Sequence, residues 1–216
     1  MAIAVAPEPQ VERVPEYPRL APGMMGMYIF LASEVMFFGT MFAGYFYIFG
    51  SHITWPPAGS HPVNWFPIPM VNTVVLLSSG VTMHVAHLAI QAGDRGKFIR
   101  WLVLTIVLGF LFEVGQAYEF LEKLAPSWIG VDPAGAMGFT ANPFASAFFT
   151  MTGFHGLHVL GGLVILMIIL ARATRSGQFS AQHHVGVAAG AIYWHFVDVV
   201  WIALFGVLYL AVTYGT

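Results

Sequence analysis

The chain contains no cysteine. That absence removes disulfides, thiol catalysis, thioether-linked haem, iron–sulfur clusters and any thiolate-bridged copper centre. Charge is nearly as scarce. Only 8% of the 216 residues are Asp, Glu, Lys or Arg, against about 25% in an ordinary soluble domain. With a net charge of −2, the chain offers no basic surface to a nucleic acid. The first 22 residues, "MAIAVAPEPQVERVPEYPRLAP", lack a basic start, an apolar core and a small-residue cleavage site. They read as a polar, proline-rich tail at the membrane surface rather than a signal peptide. No internal repeat is present, which argues against an inverted-repeat transporter.

What the chain has in abundance is apolar surface: 58% of its residues are hydrophobic. Five apolar segments, about 24–50, 70–92, 98–122, 142–172 and 185–213, reach the ~20 residues a helix needs to cross a bilayer. Turn-forming stretches such as "WPPAGSHPVNWFPIP" and "QAGDRGK" separate them. The expectation is an all-α integral membrane protein, with residues 23–216 forming one bundle of five transmembrane helices. Basic residues set its orientation. If the N-terminus lies on one side, that side holds Arg13, Arg19, Arg95, Lys97, Arg100, Arg172 and Arg175, and the other holds only Lys123. Seven against one predicts a cytoplasmic N-terminus and an external C-terminus. Trp55, Trp65 and Trp128 fall in the outer connections, as interfacial anchors should.

Polar groups inside the spans are few and therefore informative. They are Glu34, Glu113, Glu119 and Asp198, with His84, His87, His155, His158 and His195. His155 and His158 sit in "TMTGFHGLHVLGG", among glycines that allow close approach of helices. Counting residues at the helical rise puts Glu34, His155 and His195 at one level, with His158 and Asp198 one turn away on the same faces. Three readings fit such a layer: haem ligation between helices, a proton relay, or interhelical hydrogen bonding. The last needs the fewest assumptions. The pair His183–His184 reads as a helix start or surface contact rather than a copper site. Arg95 and Arg172 lie at headgroup depth, where a guanidinium suits a lipid phosphate.

Seven stretches occur in the order found in one family: "SEVMFFGTMFAGYF", "WPPAGSHPVN", "NTVVLLSSGVTMHVAH", "GDR", "QAYEF", "SAFFTMTGFHGLHVLGG", and "HHVG" with "YWHFVDVVWIALFGVLYL". From about residue 24 to the end the chain resembles subunit III of haem–copper oxidases, in particular of cytochrome c oxidase. The resemblance implies an accessory subunit of a proton-pumping oxidase in the bacterial cytoplasmic membrane. Such a subunit binds no cofactor itself, the haem and copper lying in subunits I and II. It contacts subunit I directly, with subunit II and small subunits in the same complex. It holds structural phospholipid, supports proton uptake and offers a route for O2. Glu34 matches the family's carbodiimide-reactive acid, facing subunit I, and Arg172 its lipid-phosphate arginine. The sequence departs from the mitochondrial pattern in three respects. Two helices that precede the "SE" helix there do not precede it here, Ala188 stands where an acid follows "HH", and one residue is inserted between Arg172 and His183. The alternatives are subunit III of a quinol oxidase and, in another class, an independent haem-binding or proton-conducting membrane protein.

Overall fold

The computed structural model describes residues 21–52, 54–57, 66–124, 138–175 and 177–214. The N-terminal tail through residue 20, with Arg13 and Arg19, lies outside them, as do Trp65 and Trp128. Five long helices account for most of the described residues: α1 (Pro22–Gly50), α2 (Ile68–Gln91), α3 (Arg95–Leu124), α4 (Pro143–Arg175) and α5 (Val185–Phe205). α5 runs on through a π-helical turn, Gly206–Leu210, into the short α6 (Ala211–Tyr214). All five are long and apolar enough to cross a membrane. α4 overshoots the expected span, because its last turn carries Arg172 and Arg175 out to where charge is tolerated.

Local chemistry places the helix ends. Pro22 occupies the first turn of α1, where a missing N–H costs nothing. α2 closes on Gly93, whose φ of +78° a side chain would resist. Gly93 N–H donates to the Ile90 carbonyl and Asp94 N–H to that of Ala89, the double bond of a Schellman stop. Asp94 then starts α3, accepting from Lys97 N–H at 2.8 Å. Asn142 does the same for α4, accepting from Ala145 N–H at 2.8 Å. His184 stands at the N-cap position of α5.

α2, α3, α4 and α5 form a closed ring in which each helix touches its two neighbours, and α1 lies outside against α5 and α4. Lipid tails are as apolar as leucine, so packing and hydrogen bonds must hold these helices together. α2 supplies both. Toward α3, Asn72 donates to the Phe112 carbonyl at 3.0 Å and Thr82 meets the Thr105 hydroxyl at 2.8 Å. Toward α5, Ser79 accepts from Trp194 Nε1 and Thr73 from Trp201 Nε1, each at 3.0 Å. The Trp194 indole fills the centre of the ring. A Cβ on Gly109 of α3 would stand 2.6 Å from it, and one on Gly162 of α4 2.9 Å. α1 contributes only Phe38 and Tyr45 to the core, and Met25, Ile29, Val35, Met36 and Tyr47 face outward.

Gly109→Ala should therefore force the indole aside and destabilise the bundle by about 1–3 kcal/mol, the usual cost of overpacking. Denaturation from mixed micelles, followed by tryptophan fluorescence, measures this. An unchanged midpoint would show that the ring does not depend on that close approach.

Candidate functional site

The polar residues singled out from the sequence do not form one layer: His155 and Glu113 stand apart, and the others fall into four groups, three within the spans and one at the end of α4. At the α1–α4 contact, His158 Nε2 lies 2.9 Å from Glu34 Oε2. The other ring nitrogen, Nδ1, lies 2.7 Å from the Phe154 carbonyl. A carbonyl only accepts, so Nδ1 carries a hydrogen. The Glu34–His158 link then holds one hydrogen in either of two states. A neutral carboxyl gives it to a neutral imidazole, or an imidazolium gives it to a carboxylate. Phe38 packs edge-on against the imidazole at 4.9 Å between ring centres, and Tyr193 donates to the His158 carbonyl at 2.9 Å. Glu34 thus turns to α4 within its own chain, with its side chain 16% exposed.

The depth count joined Glu34 to His155, and the structure corrects it. Gly44 and Ile48 near the end of α1 and Pro143 at the start of α4 border one groove, so these ends share a side of the bundle. Glu34 is sixteen residues from Gly50 and His158 fifteen from Pro143, about 24 and 22 Å along their helices. His155 is three residues nearer the end. Nor do His155 and His158 share a face. Residues three apart are offset by about 60° around a helix, enough here to send one inward and the other toward α1. His155 is 0% exposed, stacks on Trp201 at 5.0 Å and meets the edge of Phe112 at 5.9 Å. Both its ring nitrogens are buried without a hydrogen bond, so it is not the interhelical hydrogen-bonding group expected of it. Protein atoms fill the space beside them that an iron would need.

His195 and Asp198 form the second group, on the α2–α5 contact. Their closest atoms are 3.8 Å apart, too far for a hydrogen bond. Asp198 fits because α2 has no side chain there: a Cβ on Gly80 would lie 2.2 Å from its Oδ2. His195 faces His84 at 6.3 Å between ring centres, and His87 faces His184 at 5.9 Å.

The third group surrounds Glu119, which is 3% exposed. Lys123, one turn on, gives it a 2.9 Å ion pair, and the Tyr209 hydroxyl lies 3.0 Å from each carboxylate oxygen. Tyr209 belongs to the π-helical turn, and the carbonyl of Val207 in the same turn accepts from Tyr45 of α1 at 3.4 Å. Trp55, the one expected anchor among the described residues, donates to that Tyr45 hydroxyl at 3.0 Å. Tyr209 went unnoticed because its partner is 90 residues away, and tyrosine in an apolar run signals little by itself.

The fourth group gathers the arginines at the C-terminal end of α4, where unpaired carbonyls favour positive charge. Arg95 donates through Nη2 to the Ala173 carbonyl. Arg172 Nε donates to Gln178 at 2.7 Å, with its guanidinium over the Phe179 ring at 5.9 Å. Among the described residues no set of three or more His, Asp or Glu side chains is arranged to hold a metal ion.

This is a polytopic helical membrane protein whose polar groups serve mainly to join its own helices. Its sequence matches the family model of cytochrome c oxidase subunit III over residues 20–213. It is 40% identical to the cytochrome c oxidase subunit 3 of Thermostichus vulcanus over 87% of this chain and 86% of that protein. Identity to the subunit of the same name from Paracentrotus lividus is 43%, over 85% and 67%, and from Synechocystis 38%, over 87% and 75%. The chain belongs to the cytochrome c oxidase subunit III family, and membership makes it part of an oxidase complex.

Replacing His158 by Phe and Glu34 by Leu, singly and together, tests the α1–α4 pair. The double-mutant cycle should give a coupling energy of about 1–2 kcal/mol in mixed micelles. Additive effects would mean that the pair adds nothing to the attachment of α1.

Proposed function

We propose that this chain is the non-catalytic subunit III of a proton-pumping terminal oxidase that takes electrons from cytochrome c and reduces O2. On this reading it sits in the bacterial cytoplasmic membrane with its N-terminus inside, as the basic residues direct. The observation that carries the reading is the family match over residues 20–213. The one fully buried histidine of a span, His155, stacks on Trp201 and packs against Phe112, while Glu34, Glu119 and Arg172 make polar contacts within the chain. Haem and copper belong to subunits I and II, and the role left to this chain is support.

That support has three parts. The chain packs on subunit I and stabilises it. Arg95 and Arg172, gathered at the end of α4, lie at the depth where a guanidinium suits a phospholipid phosphate. The polar pair Glu34–His158 keeps α1 on the bundle and so preserves the surface through which the subunit assists proton uptake and O2 access.

The test is turnover of the intact oxidase carrying Glu34→Gln. The first turnovers should proceed within about twofold of the wild-type rate, while activity over prolonged turnover or the yield of assembled complex falls. Loss of the first turnovers would give Glu34 a part in the chemistry and end the accessory reading. The chain expressed alone should show no Soret band, and a haem spectrum from it would favour an independent haem protein.

A further inference from the structure

Glu113 is the intramembrane carboxyl that none of the pairings above uses. It lines a groove between α3 and α4 of about 450 Å³, open to the membrane and walled by Phe120, Leu121, Leu124 and Leu157. Gln116, one turn along α3, lines the same groove and is only 5% exposed. Its amide nitrogen donates to the Thr152 carbonyl at 3.3 Å, which fixes the side chain. Its Oε1, like Oε1 of Glu113, is buried without a hydrogen bond. Each of these two lining residues therefore carries an unmet oxygen, and in a hydrocarbon setting an unmet polar atom costs several kcal/mol.

Their depth restricts what can meet them. Glu113 is eleven residues from Leu124, about 16 Å from that end of α3. A phospholipid keeps its polar atoms at the interface and brings only alkyl chains to this level. The groove's other wall narrows the choice further. Gly153 and Gly156 of α4 border it, and nothing among the described residues needs them to be glycine. A Cβ on Gly156 would meet the Glu113 carboxyl at 3.8 Å, and one on Gly153 the Phe120 ring at 3.7 Å, both ordinary contacts. This is unlike Gly109 and Gly162, which the Trp194 indole requires. Bare backbone beside an unmet polar side chain is how one transmembrane helix receives another.

We propose that the α3–α4 groove is the docking face for a transmembrane helix of another subunit, which lays its backbone against Gly153 and Gly156 and brings a polar side chain into hydrogen bonds with Glu113 and Gln116. The proposal rests on the reading of the chain as part of a multi-subunit complex. It assigns the groove to protein rather than to a small membrane-soluble molecule.

The chain has no cysteine of its own, so Leu157→Cys introduces a single thiol at the rim of the groove. A thiol-directed photo-crosslinker attached there in the intact complex should join this chain to a second polypeptide, a product missing from the wild-type complex. In parallel, Glu113→Leu and Gly156→Leu should raise at least fivefold the fraction of that polypeptide lost in a detergent wash. Glu113→Gln, which still hydrogen-bonds, should stay within twofold of wild type. Cross-links only to lipid or another small molecule, or none, in a complex whose subunits still co-purify would overturn the proposal. So would unchanged retention in Glu113→Leu. If the unlabelled wild-type chain co-purified with no other subunit, the complex reading would fail and the proposal with it.

Discussion

The Trp194 indole is the contact on which the ring of four helices depends. It belongs to α5, donates to Ser79 of α2, and lies against positions of α3 and α4 that only glycine can occupy beside it. One side chain thereby fixes the separation of all four helices. The arrangement answers a problem peculiar to the bilayer, where burying apolar surface gains little because the solvent is apolar too. Close packing and a satisfied N–H have to supply what the hydrophobic effect supplies in water. Trp201 repeats the device a little under two turns later, donating to Thr73 while its faces take His155 and Phe112.

The same constraint explains how the carboxyls are distributed. A carboxyl in a span has to meet a hydrogen-bonding partner, a cation or a polar cavity. Glu34 meets a histidine on the neighbouring helix, and Glu119 a lysine one turn away with a tyrosine from the π-helical turn. The π turn is what brings Tyr209 there. Its wider winding shifts the register of α5 and leaves the Val207 carbonyl for Tyr45 to bond. The end of α5 is thus tied to α3 through one residue of the turn and to α1 through another. Lys123 is held by the carboxylate four residues before it.

Number, length and ends of the helices were legible because they follow from composition and local turn chemistry. The five spans agree with the observed helices to within a few residues, and "QAGDRGK" forms the tight stop and restart its Gly and Asp imply. The partner of Glu34 was harder to read. Depth along a helix follows from counting, but azimuth does not. His155 and His158 differ by only three residues, yet one enters the aromatic core and the other faces α1. The two histidines lie only about 4.5 Å apart along α4, so a depth count made from helix starts on opposite sides of the bundle does not separate them. The roles of Tyr209, Ser79 and Thr73 were invisible for another reason. Each depends on which helices are neighbours, and pattern along a single chain does not contain that.

The weak attachment of α1 gives the Glu34–His158 pair its importance. α1 lies outside the ring and buries only Phe38 and Tyr45, so few other contacts fix its position. Its inward stripe runs Glu34, Phe38, Phe42, Tyr45, and each end of that stripe makes a polar contact, to His158 below and to the Val207 carbonyl above. A helix held at two polar points and apolar elsewhere can keep its depth and rotation while presenting most of its surface outward. Sequence resemblance singles out Glu34 as a special acid, and the structure supplies a physical reason for an acid at that position. In an apolar medium the bond to a histidine of the next helix sets the register of α1, which a leucine there would leave to slide.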